Sequence, residues 1–195
     1  MEYDYIIVGG GSAGCVLANR LSARSAKQVL LIEAGPDTPP ENVPEVISSS
    51  YTGFSYFDPL YHWTELRIFH ESLSENERRP RPRKFEQARV MGGGSSINGQ
   101  FALRGLPDDY DEWAEMGVAR WGWADCMPYF KKLERDVDFG GPLHGRAGRI
   151  PIRRIFPDQW AGYTKATLAA LEAQGYRYAH DLNTDFGDAC FPIPF

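Results

Sequence analysis

Two short apolar runs near the start of the chain flank a stretch with the periodicity of a helix. Residues 4–8 are mostly apolar and precede three glycines, and from residue 12 to residue 21 apolar side chains recur every three or four positions. Residues 28–33 form a second apolar run without polar alternation, which is typical of a strand in a parallel sheet covered on both faces. The pattern therefore predicts a strand, a helix and a strand joined as a βαβ unit.

Regular patterning is lost between residues 35 and 84, where proline, serine, asparagine and aromatic residues are frequent. A weak strand pattern covers residues 63–68, and no segment has a convincing helical pattern. We therefore expect residues 36–84 to be a long loop insertion that serves as a lid or covers a cofactor. The last part of the insertion is basic and contains prolines, which predicts an extended segment. This segment is either a surface loop or a basic rim near an anionic cofactor. Its basic residues are Arg78, Arg79, Arg81, Arg83 and Lys84, interleaved with Pro80 and Pro82.

Periodicity returns after residue 88. Residues 108–117 predict a helix with an acidic first turn and a terminal glycine, and residues 123–133 predict a helix capped by Asp125 and ended by Lys131 and Lys132. A strand is expected at residues 150–155, and residues 181–195 are expected to form an aromatic loop. Residues 158–174 predict an amphipathic helix that Gly175 ends, with a face formed by Trp160, Tyr163, Thr167, Leu168 and Leu171.

Composition and charge limit the class of protein. Hydrophobic residues make up 43% of the chain and charged residues 24%, the balance of an ordinary soluble protein. The longest apolar run is too short to cross a bilayer and the start of the chain lacks the features of a signal peptide, so we expect a cytoplasmic protein without a membrane partner. The net charge of -5 argues against a nucleic-acid partner, because that affinity depends on clustered cations.

The cysteines give no sign of a disulfide framework or a metal site. Cys15, Cys126 and Cys190 are odd in number and lack the spacing of metal ligands. We therefore predict buried, reduced thiols.

The glycines after the first predicted strand have the spacing of a dinucleotide fingerprint. Gly9, Gly11 and Gly14 form G-x-G-x-x-G, and Glu33 ends the second predicted strand. The first glycine permits a tight turn, the second lets the backbone approach a pyrophosphate, and the third allows the helix to pack closely on the strand. Glu33 is placed to accept hydrogen bonds from the adenosine ribose. This disfavours NADP but leaves both NAD and FAD open.

A second glycine-rich loop spans residues 88–99 and is too long and too polar for a simple turn. Its small residues expose backbone N–H groups that can hold an anion or approach a flat ring closely. Since the first loop already serves a pyrophosphate, a second loop favours FAD, whose flavin end must also be held, over NAD.

At these two loops the sequence closely resembles the glucose-methanol-choline (GMC) oxidoreductases. Residues 88–111 match the family's first signature, with a mild departure at Met91, where Leu, Ile or Val is usual. Similarity extends to residues 5–14, a D-Y-D-x-W segment within 106–113, an H-G-x-x-G turn within 142–151 and a D-x-N segment at 181–183. Among the subgroups, the chain is most similar to the hydroxymethylfurfural oxidase and aryl-alcohol oxidase types, with choline dehydrogenase more distant.

The resemblance implies an α/β fold: a partial, Rossmann-like FAD-binding domain at residues 1–149 and the start of an α+β substrate-binding domain at residues 150–195. It also implies hydride transfer from the CH–OH group of a primary alcohol to the flavin N5. Covalent members have a histidine at the position of Ile97, so we expect noncovalent FAD. The residues expected to bind FAD are Gly9, Gly11, Ser12, Ala13, Gly14, Glu33, Ala34, Trp63, Arg89, Met91, Gly92, Gly93, Ser95, Asn98, Gly99, Gln100 and Phe101.

The resemblance also implies a catalytic base: a histidine paired with a second histidine or an asparagine. In full-length members of the family this pair lies far toward the C-terminus. The histidines of this chain are His62, His70, His144 and His180, and none matches that motif. We therefore expect no catalytic residue here, and a fragment whose partner is the C-terminal portion of the enzyme. We interpret His144 as a structural turn residue and His180 as a surface residue, with approach to a substrate cavity as the alternative for His180.

Three functions stay open on the sequence. The leading hypothesis is FAD-dependent oxidation of a small-molecule alcohol, and the second is a catalytically inert piece that binds FAD or a protein partner. The third is a lyase, because hydroxynitrile lyases share the fold and cofactor. Five aromatic residues suit either an aryl alcohol or a hydrophobic core: Trp63, Phe101, Trp160, Phe191 and Phe195. The sequence does not distinguish an oxidase from a dehydrogenase.

Overall fold

The computed structural model describes residues 2–23, 26–69 and 82–195. The chain divides into two compact units, Met1–Gln100 and Phe101–Phe195. The predicted functional boundary between residues 149 and 150 lies inside the second unit. Compactness does not assign a function to either part, so the division into an FAD-binding and a substrate-binding domain remains a prediction.

The first unit opens with the βαβ arrangement that the hydrophobic pattern predicts. Strand β1 (Tyr5–Val8) leads into helix α1 (Ser12–Ser22), and the chain returns through strand β2 (Val29–Ile32). The strands are parallel over their whole length. The Gly9 N–H extends the pairing by donating to the carbonyl oxygen of Ile32 at 2.7 Å. The predicted strand, helix and strand are therefore confirmed.

The expectation that both faces of this sheet are covered is wrong for the chain as it stands. Ile6 and Val8 keep 61% and 83% of their surface exposed. Two strands and a single helix of 11 residues are too little structure to enclose both faces of a parallel sheet. The apolar sequence of β1 therefore identifies a strand without showing how much of its surface this chain buries.

The segment between β2 and the second glycine loop is more regular than its sequence suggests. It contains the short helices α2 (Glu45–Ser48) and α3 (Gly53–Phe57), and strands β3 (Arg67–Ile68) and β4 (Arg83–Lys84), which pair antiparallel. Single 3-10 turns occur at Pro40–Asn42 and Pro59–Tyr61. The prediction that no helix forms here is wrong, because helices of four or five residues are too short to show a hydrophobic period.

The second glycine loop rests on a small hydrophobic core in the first unit. Tyr61, Val90 and Ile97 are buried together, with Val46 and Ile47 against them. Ile97 ends helix α4 (Gly94–Ile97), which is part of the loop. Much of the loop insertion therefore serves as a base for the glycine-rich segment.

The basic part of the insertion is described only at its end. Arg83 and Lys84 form the exposed strand β4, as expected for an extended segment. Arg78, Arg79 and Arg81 lie outside the described residues, as does His70. The choice between a surface loop and a basic rim is therefore not tested.

The second unit contains helices α5 (Pro107–Glu115) and α6 (Trp123–Leu133), close to the predicted bounds. Asp125 does not cap α6 as predicted. The N–H of Trp123 donates instead to Asp111 Oδ1 at 2.8 Å, so a residue of α5 satisfies the start of α6. A cap supplied by another helix leaves no local signal in the sequence.

Strands β5 (Glu134–Asp136) and β6 (Ile150–Ile152) pair parallel, on either side of the predicted domain boundary. The helix predicted for residues 158–174 is shorter: a 3-10 turn at Pro157–Gln159 precedes α7 (Gly162–Glu172). Tyr163 is 85% exposed, so it does not belong to a buried face. The break at Trp160 arises because its backbone is extended, and its indole N–H donates to the Ile155 carbonyl at 2.6 Å.

The cysteines are free thiols, as predicted, but Cys15, Cys126 and Cys190 are half-buried, not buried. Each lies in a helix or loop near the surface of its small unit, where few residues are fully enclosed. Within residues 2–23, 26–69 and 82–195, no helix is long and apolar enough to span a bilayer.

Candidate functional site

The two glycine-rich loops of the first unit lie side by side, although they are far apart in sequence. The N–H of Gly92 donates to the Gly10 carbonyl at 2.7 Å, and Gly11 and Gly92 form a parallel bridge. The hydroxyl of Ser12 donates to Ser95 Oγ at 3.0 Å, across 83 positions of sequence. Each loop is predicted separately from the sequence. The structure joins them beyond the carboxyl end of β1, where α/β sheets bind their ligands.

Two of the glycines are required by close contact between backbones. A Cβ atom on Gly14 would stand 1.9 Å from the carbonyl oxygen of Gly9, so a side chain there would separate α1 from the turn after β1. A Cβ on Gly93, whose φ is +59°, would stand 2.7 Å from the Cα of Gly11. A Cβ on Gly11 itself would meet nothing nearer than 3.9 Å. Packing within this chain therefore explains Gly14 and Gly93, whereas a Cβ on Gly11 would make only an ordinary contact with Gly93.

The N-terminus of α1 lies at these loops and has unused backbone donors. The first helical hydrogen bond runs from the Cys15 N–H to the Gly11 carbonyl, which leaves the N–H groups of Ser12, Ala13 and Gly14 outside the helical ladder. Gly11 has no side chain to cap them, and none of the described residues in this first turn is acidic. The helix dipole adds partial positive charge at the same place. An anionic group such as a pyrophosphate is therefore favoured here.

Glu33 follows β2, and the glycine loop holds its carboxylate. The N–H of Gly10 donates to Oε2 at 2.6 Å, and the N–H of Gly35 donates to Oε1 at 2.9 Å. Burial raises the pKa of Glu33, but the N–H groups of Gly10, Gly35 and Ala34 outweigh burial and lower the pKa below its ordinary value. The carboxylate is therefore ionised at neutral pH. It can accept further hydrogen bonds from hydroxyl groups, because each oxygen has more than one lone pair.

An aromatic ring and a cation border the second loop. The N–H of Trp63 donates to the Gln87 carbonyl at 3.0 Å, and the N–H of Arg89 donates to the Tyr61 carbonyl at 2.8 Å. This pairing sets the Arg89 guanidinium over the Trp63 ring, 5.8 Å from the ring centroid. Trp63 keeps 44% of its surface exposed, so it has room to contact a ligand as well. An exposed indole beside a cation suits a planar, electron-rich or anionic group.

Three residues that the sequence analysis did not select also shape the site: Gly10, Gly35 and Pro36. The N–H of Met91 donates to the Pro36 carbonyl at 3.0 Å, and a Cβ on Gly10 would stand 2.6 Å from the Met91 sulfur. A Cβ on Gly35 would lie 2.1 Å from the Arg89 carbonyl oxygen. The Gly-Pro pair that follows Ala34, two positions after Glu33, was the available signal. Its importance depends on contact with a loop that is distant in sequence.

The far end of the second loop is exposed at Asn98, Gly99 and Gln100. Asn98 Oδ1 accepts a hydrogen bond from the Gln100 N–H at 2.8 Å, and Gln100 has a φ of +59°. Ser95 Oγ donates to the Gly92 carbonyl at 2.6 Å, which fixes the middle of the loop. The predicted cofactor residues of the first unit thus surround one region, whereas Phe101 belongs to the second unit.

Phe101 lines a cavity of about 420 Å³ within the second unit. Trp160, Phe191 and Phe195 line the same cavity, together with the polar side chains of Gln159 and Thr164. Four of the five aromatic residues singled out from the sequence are therefore neighbours there. A cavity of this size, mostly apolar with a few polar groups, has the character of a small-molecule pocket.

The second unit also contains a buried cluster of charged side chains that the sequence analysis missed. Its carboxylates are Glu134, Asp136 and Asp181, and its cationic or imidazole groups are Arg104, His144 and Arg154. Glu134, Asp136 and His144 lie close enough to share a metal ion. The arginines already neutralise these carboxylates, however, so an ion is not needed to compensate their charge.

Hydrogen bonds keep the buried aspartates of this cluster ionised. Burial raises the pKa of Asp136, but the Phe139 N–H and the Arg154 guanidinium outweigh burial and lower it. Burial likewise raises the pKa of Asp181, and its bonds from Thr184 and His144 outweigh that effect and lower it. His144 is buried among these groups and contacts carboxylates on both sides, and its interpretation as a structural turn residue stays a prediction.

The other described histidines differ in their surroundings. His62 is buried in the first unit, and neither ring nitrogen has a hydrogen-bond partner in the described part of the chain. His180 is exposed, as predicted, and its ring meets that of Tyr178 edge-on with centroids 4.9 Å apart. It also borders a cavity of about 320 Å³ with Asp181 and Thr184. Neither described residue is paired with a second histidine or an asparagine as a general base would be.

Comparison with known proteins agrees with this arrangement of loops. A family model described as GMC oxidoreductase matches residues 3–192. The 5-(hydroxymethyl)furfural oxidase of Methylovorus sp. (strain MP688) is 47% identical over 199 residues, which cover 99% of this chain and 37% of that protein. The oxygen-dependent choline dehydrogenase of Staphylococcus xylosus is 39% identical over 185 residues, covering 93% of this chain and 32% of the relative. This chain therefore spans about a third of the length of these curated relatives.

Solved structures give the same result for the fold. The pyridoxine 4-oxidase from Mesorbium loti has a TM-score of 0.70 at 29% identity, covering 92% of this chain and 33% of that chain. An FAD-dependent oxidoreductase from Chaetomium thermophilum has a TM-score of 0.75 at 29% identity, covering 99% of this chain and 33% of that chain. The predicted α/β, Rossmann-like fold is confirmed.

Proposed function

The chain belongs to the GMC oxidoreductase family, and from this premise we propose that it forms the FAD-binding part of an enzyme that oxidises alcohols. FAD is the cofactor implied by the family and by its FAD-dependent structural neighbour. One observation carries the proposal: the fingerprint loop and the second glycine loop adjoin at Gly11 and Gly92. A fingerprint loop alone suits NAD and FAD equally, and a second adjoining loop gives the flavin end a place to be held.

The residues of the first unit fit such a cofactor by their own chemistry. The free N–H groups at the start of α1 would hold the pyrophosphate, and the ionised Glu33 would accept hydrogen bonds from the adenosine ribose. Gly11, where a Cβ would meet nothing nearer than the Gly93 Cα at 3.9 Å, lets the backbone approach the phosphates. Asn98 and Gly99 are exposed on the second loop and would border the flavin ring. Bound FAD would supply the acceptor for the hydride that leaves the alcohol carbon.

We propose that this FAD is bound noncovalently. Ile97 stands where covalent members of the family have a histidine, and its side chain is 5% exposed, within the core that includes Val90. An alkyl side chain offers no nucleophilic atom to a flavin. Acid precipitation of FAD-loaded protein should therefore leave the flavin in the supernatant.

For the substrate we propose a primary alcohol on an aromatic or heteroaromatic ring. The relative with 47% identity is named for a furan alcohol, and the structural neighbour from Mesorbium loti is named for pyridoxine. The cavity lined by Phe101, Trp160 and Phe195 supports this choice, because ring faces favour planar guests. The remaining interpretation, that these residues form a core, fits less well, since Phe101 is 61% exposed.

Turnover is proposed to need polypeptide outside this sequence. The resemblance implies a paired histidine as general base, and no described histidine of this chain has that arrangement. The isolated chain is therefore proposed to bind FAD without oxidising alcohols. The hypothesis of an inert FAD-binding piece then describes the isolated chain, and the hypothesis of an alcohol-oxidising enzyme describes the protein of which it forms a part. The cytoplasmic location expected from the sequence also stays a prediction.

The test is an FAD titration of the purified chain, followed by flavin fluorescence and by the absorption spectrum. We expect one FAD per chain and no bleaching of the flavin when an aryl alcohol is added without oxygen. NADP should not compete. Bleaching by the isolated chain would contradict the proposal that its catalytic base lies elsewhere, and absence of FAD binding by folded protein would contradict the proposed function itself.

A further inference from the structure

Two sequence motifs that the proposed function does not use meet in the second unit. They are the turn that carries His144 and the segment Asp181 to Asn183. His144 Nε2 lies 2.7 Å from Asp181 Oδ2, across 37 positions of sequence. On the other side of the ring, Nδ1 lies 2.8 Å from Glu134 Oε1 and 3.1 Å from Asp136 Oδ2. Both ring nitrogens of His144 therefore face carboxylates.

Arginines pair with each carboxylate of this buried network. Arg154 donates to Asp136 Oδ2 at 2.8 Å and to Asp181 Oδ1 at 3.0 Å, and Arg104 pairs with Glu134. A buried network of this kind resists movement, because a member that moves leaves a buried charge unpaired.

Asn183 connects this network to the backbone of a distant segment. Its N–H donates to Asp181 Oδ1 at 3.1 Å, so the network sets its position. Its side-chain Nδ2 donates to the Ala102 carbonyl at 3.0 Å, and its Oδ1 accepts the Arg104 N–H at 3.3 Å. Asn183 is only 2% exposed, so water does not compete for these bonds. One buried amide therefore holds residues 102–104 from both sides of their backbone.

The chain enters this held segment directly from the second glycine loop. Gln100, two positions before Ala102, has a φ of +59°, a left-handed conformation that is unfavourable for a residue with a side chain. Such a conformation persists where the structure on both sides determines it. Asn98 fixes one side through its bond from the Gln100 N–H. On the other side, the chain passes through Phe101 to the segment bound by Asn183.

We propose that Asn183 is a positioning residue for the cofactor loop. Through its bonds to Ala102 and Arg104, it anchors the chain just after the loop and so holds Asn98, Gly99 and Gln100 in one conformation. The inference rests on the proposed function in assigning the loop to FAD. The anchoring itself does not depend on FAD, and it can be measured without the cofactor.

The experiment compares Asn183→Ala with Thr184→Val in the 195-residue chain. Thr184 donates to Asp181 Oδ2 at 2.8 Å, so its variant perturbs the same turn without touching residues 102–104. By hydrogen–deuterium exchange without FAD, Asn183→Ala should speed exchange at residues 98–104 by at least about five- to tenfold, because two hydrogen bonds to this segment are lost. Thr184→Val should leave that segment unchanged. With FAD, Asn183→Ala should weaken binding by a similar factor and blur the fine structure of the flavin spectrum.

A second variant, Asn183→Asp, keeps the shape but loses the donor to Ala102. Both variants should loosen residues 98–104, whatever their effect on the melting temperature. Uniform loosening of the second unit, with residues 98–104 no more affected than the rest, would overturn the proposal and leave Asn183 a structural residue. If the exchange effect appears while the unmodified chain does not bind FAD, the anchor stands and the proposed function fails.

Discussion

The glycine loops of the first unit and the charge network of the second unit reach fixed geometry by opposite means. In the loops, side chains are missing where they would clash, and backbone groups at Gly10, Gly11 and Gly92 make the contacts. In the network, charged side chains such as Asp136 and Arg154 are fully buried and paired with one another. Backbone N–H groups at the start of α1 stay outside the helical ladder at the loops, whereas the charged groups of the network are paired with one another.

The difference shows which part binds and which part supports. A ligand can bind to exposed backbone N–H groups without a net loss of hydrogen bonds, because it replaces water at each of them. Buried ion pairs have already exchanged water for each other and have no further capacity for a guest. The loops are therefore the candidate for cofactor binding, and the network is the frame that fixes nearby chain segments.

The largest effect is expected from breaking the network. Arg154→Met should destabilise the second unit by about 3–5 kcal/mol, because Asp136 and Asp181 lose their shared cation while staying buried. Four of the five tryptophans lie in this unit, at positions 113, 121, 123 and 160, so tryptophan fluorescence during urea unfolding reports the loss.

A matched control for that change is Arg177→Gln, which removes an exposed pair with Asp185 and should shift the unfolding curve little. Equal shifts for both variants would show that burial of the network is unimportant. That result would remove the distinction between the charge network as a structural support and the glycine loops as the binding region.

A smaller effect on stability, with a larger one on binding, is expected at the loops. Gly14→Ala should cost about 1–3 kcal/mol, because the new methyl group meets the Gly9 carbonyl oxygen. FAD affinity should fall at least about tenfold as α1 moves away from the turn. Gly162→Ala adds the same methyl group at the start of α7, where nothing lies within 4 Å, and should change neither quantity.

Acid should weaken the charge network. The pKa values of Asp136 and Asp181 are lowered in the folded chain, so the folded state binds fewer protons than the unfolded state near these values. Their contribution is therefore complete above the unfolded aspartate pKa of about 3.9 and is lost as pH falls through the lower folded values. Urea unfolding followed by tryptophan fluorescence from pH 6 to pH 2 measures this loss. Asp181→Asn should make the free energy of unfolding depend less steeply on pH. An unchanged slope would contradict the claim that the ionised Asp181 stabilises the folded chain.

The smallest effect is expected for Glu33→Gln. The amide keeps an acceptor for a ribose hydroxyl, but the bond is no longer charge-assisted, so FAD affinity should fall about five- to tenfold. The chain should stay folded, since the amide oxygen still accepts from one of the Gly10 and Gly35 N–H groups and the site is only part-buried. Calorimetric titration with FAD measures the change. Unaltered affinity would show that Glu33 serves the loop and not the ribose.

The sequence predicts what is local and misses what joins distant segments. β1, α1 and β2 follow from hydrophobic period and from glycines whose spacing is fixed by helix packing. The adjacency of Gly11 and Gly92 and the ion pair of Arg154 with Asp181 link positions far apart, and nothing in their immediate neighbours indicates the partner. The helices α2 and α3 were missed for a different reason, since one turn of helix has no period to detect.

The central claim is that the two adjoining loops form one FAD site, and fluorescence titration of the 195-residue chain with FAD tests it most directly. The account predicts saturation at one FAD per chain, release of the flavin on denaturation, and loss of binding in Gly14→Ala but not in Gly162→Ala. No saturable binding by a chain whose circular dichroism shows it folded, or equal binding by both variants, would contradict it.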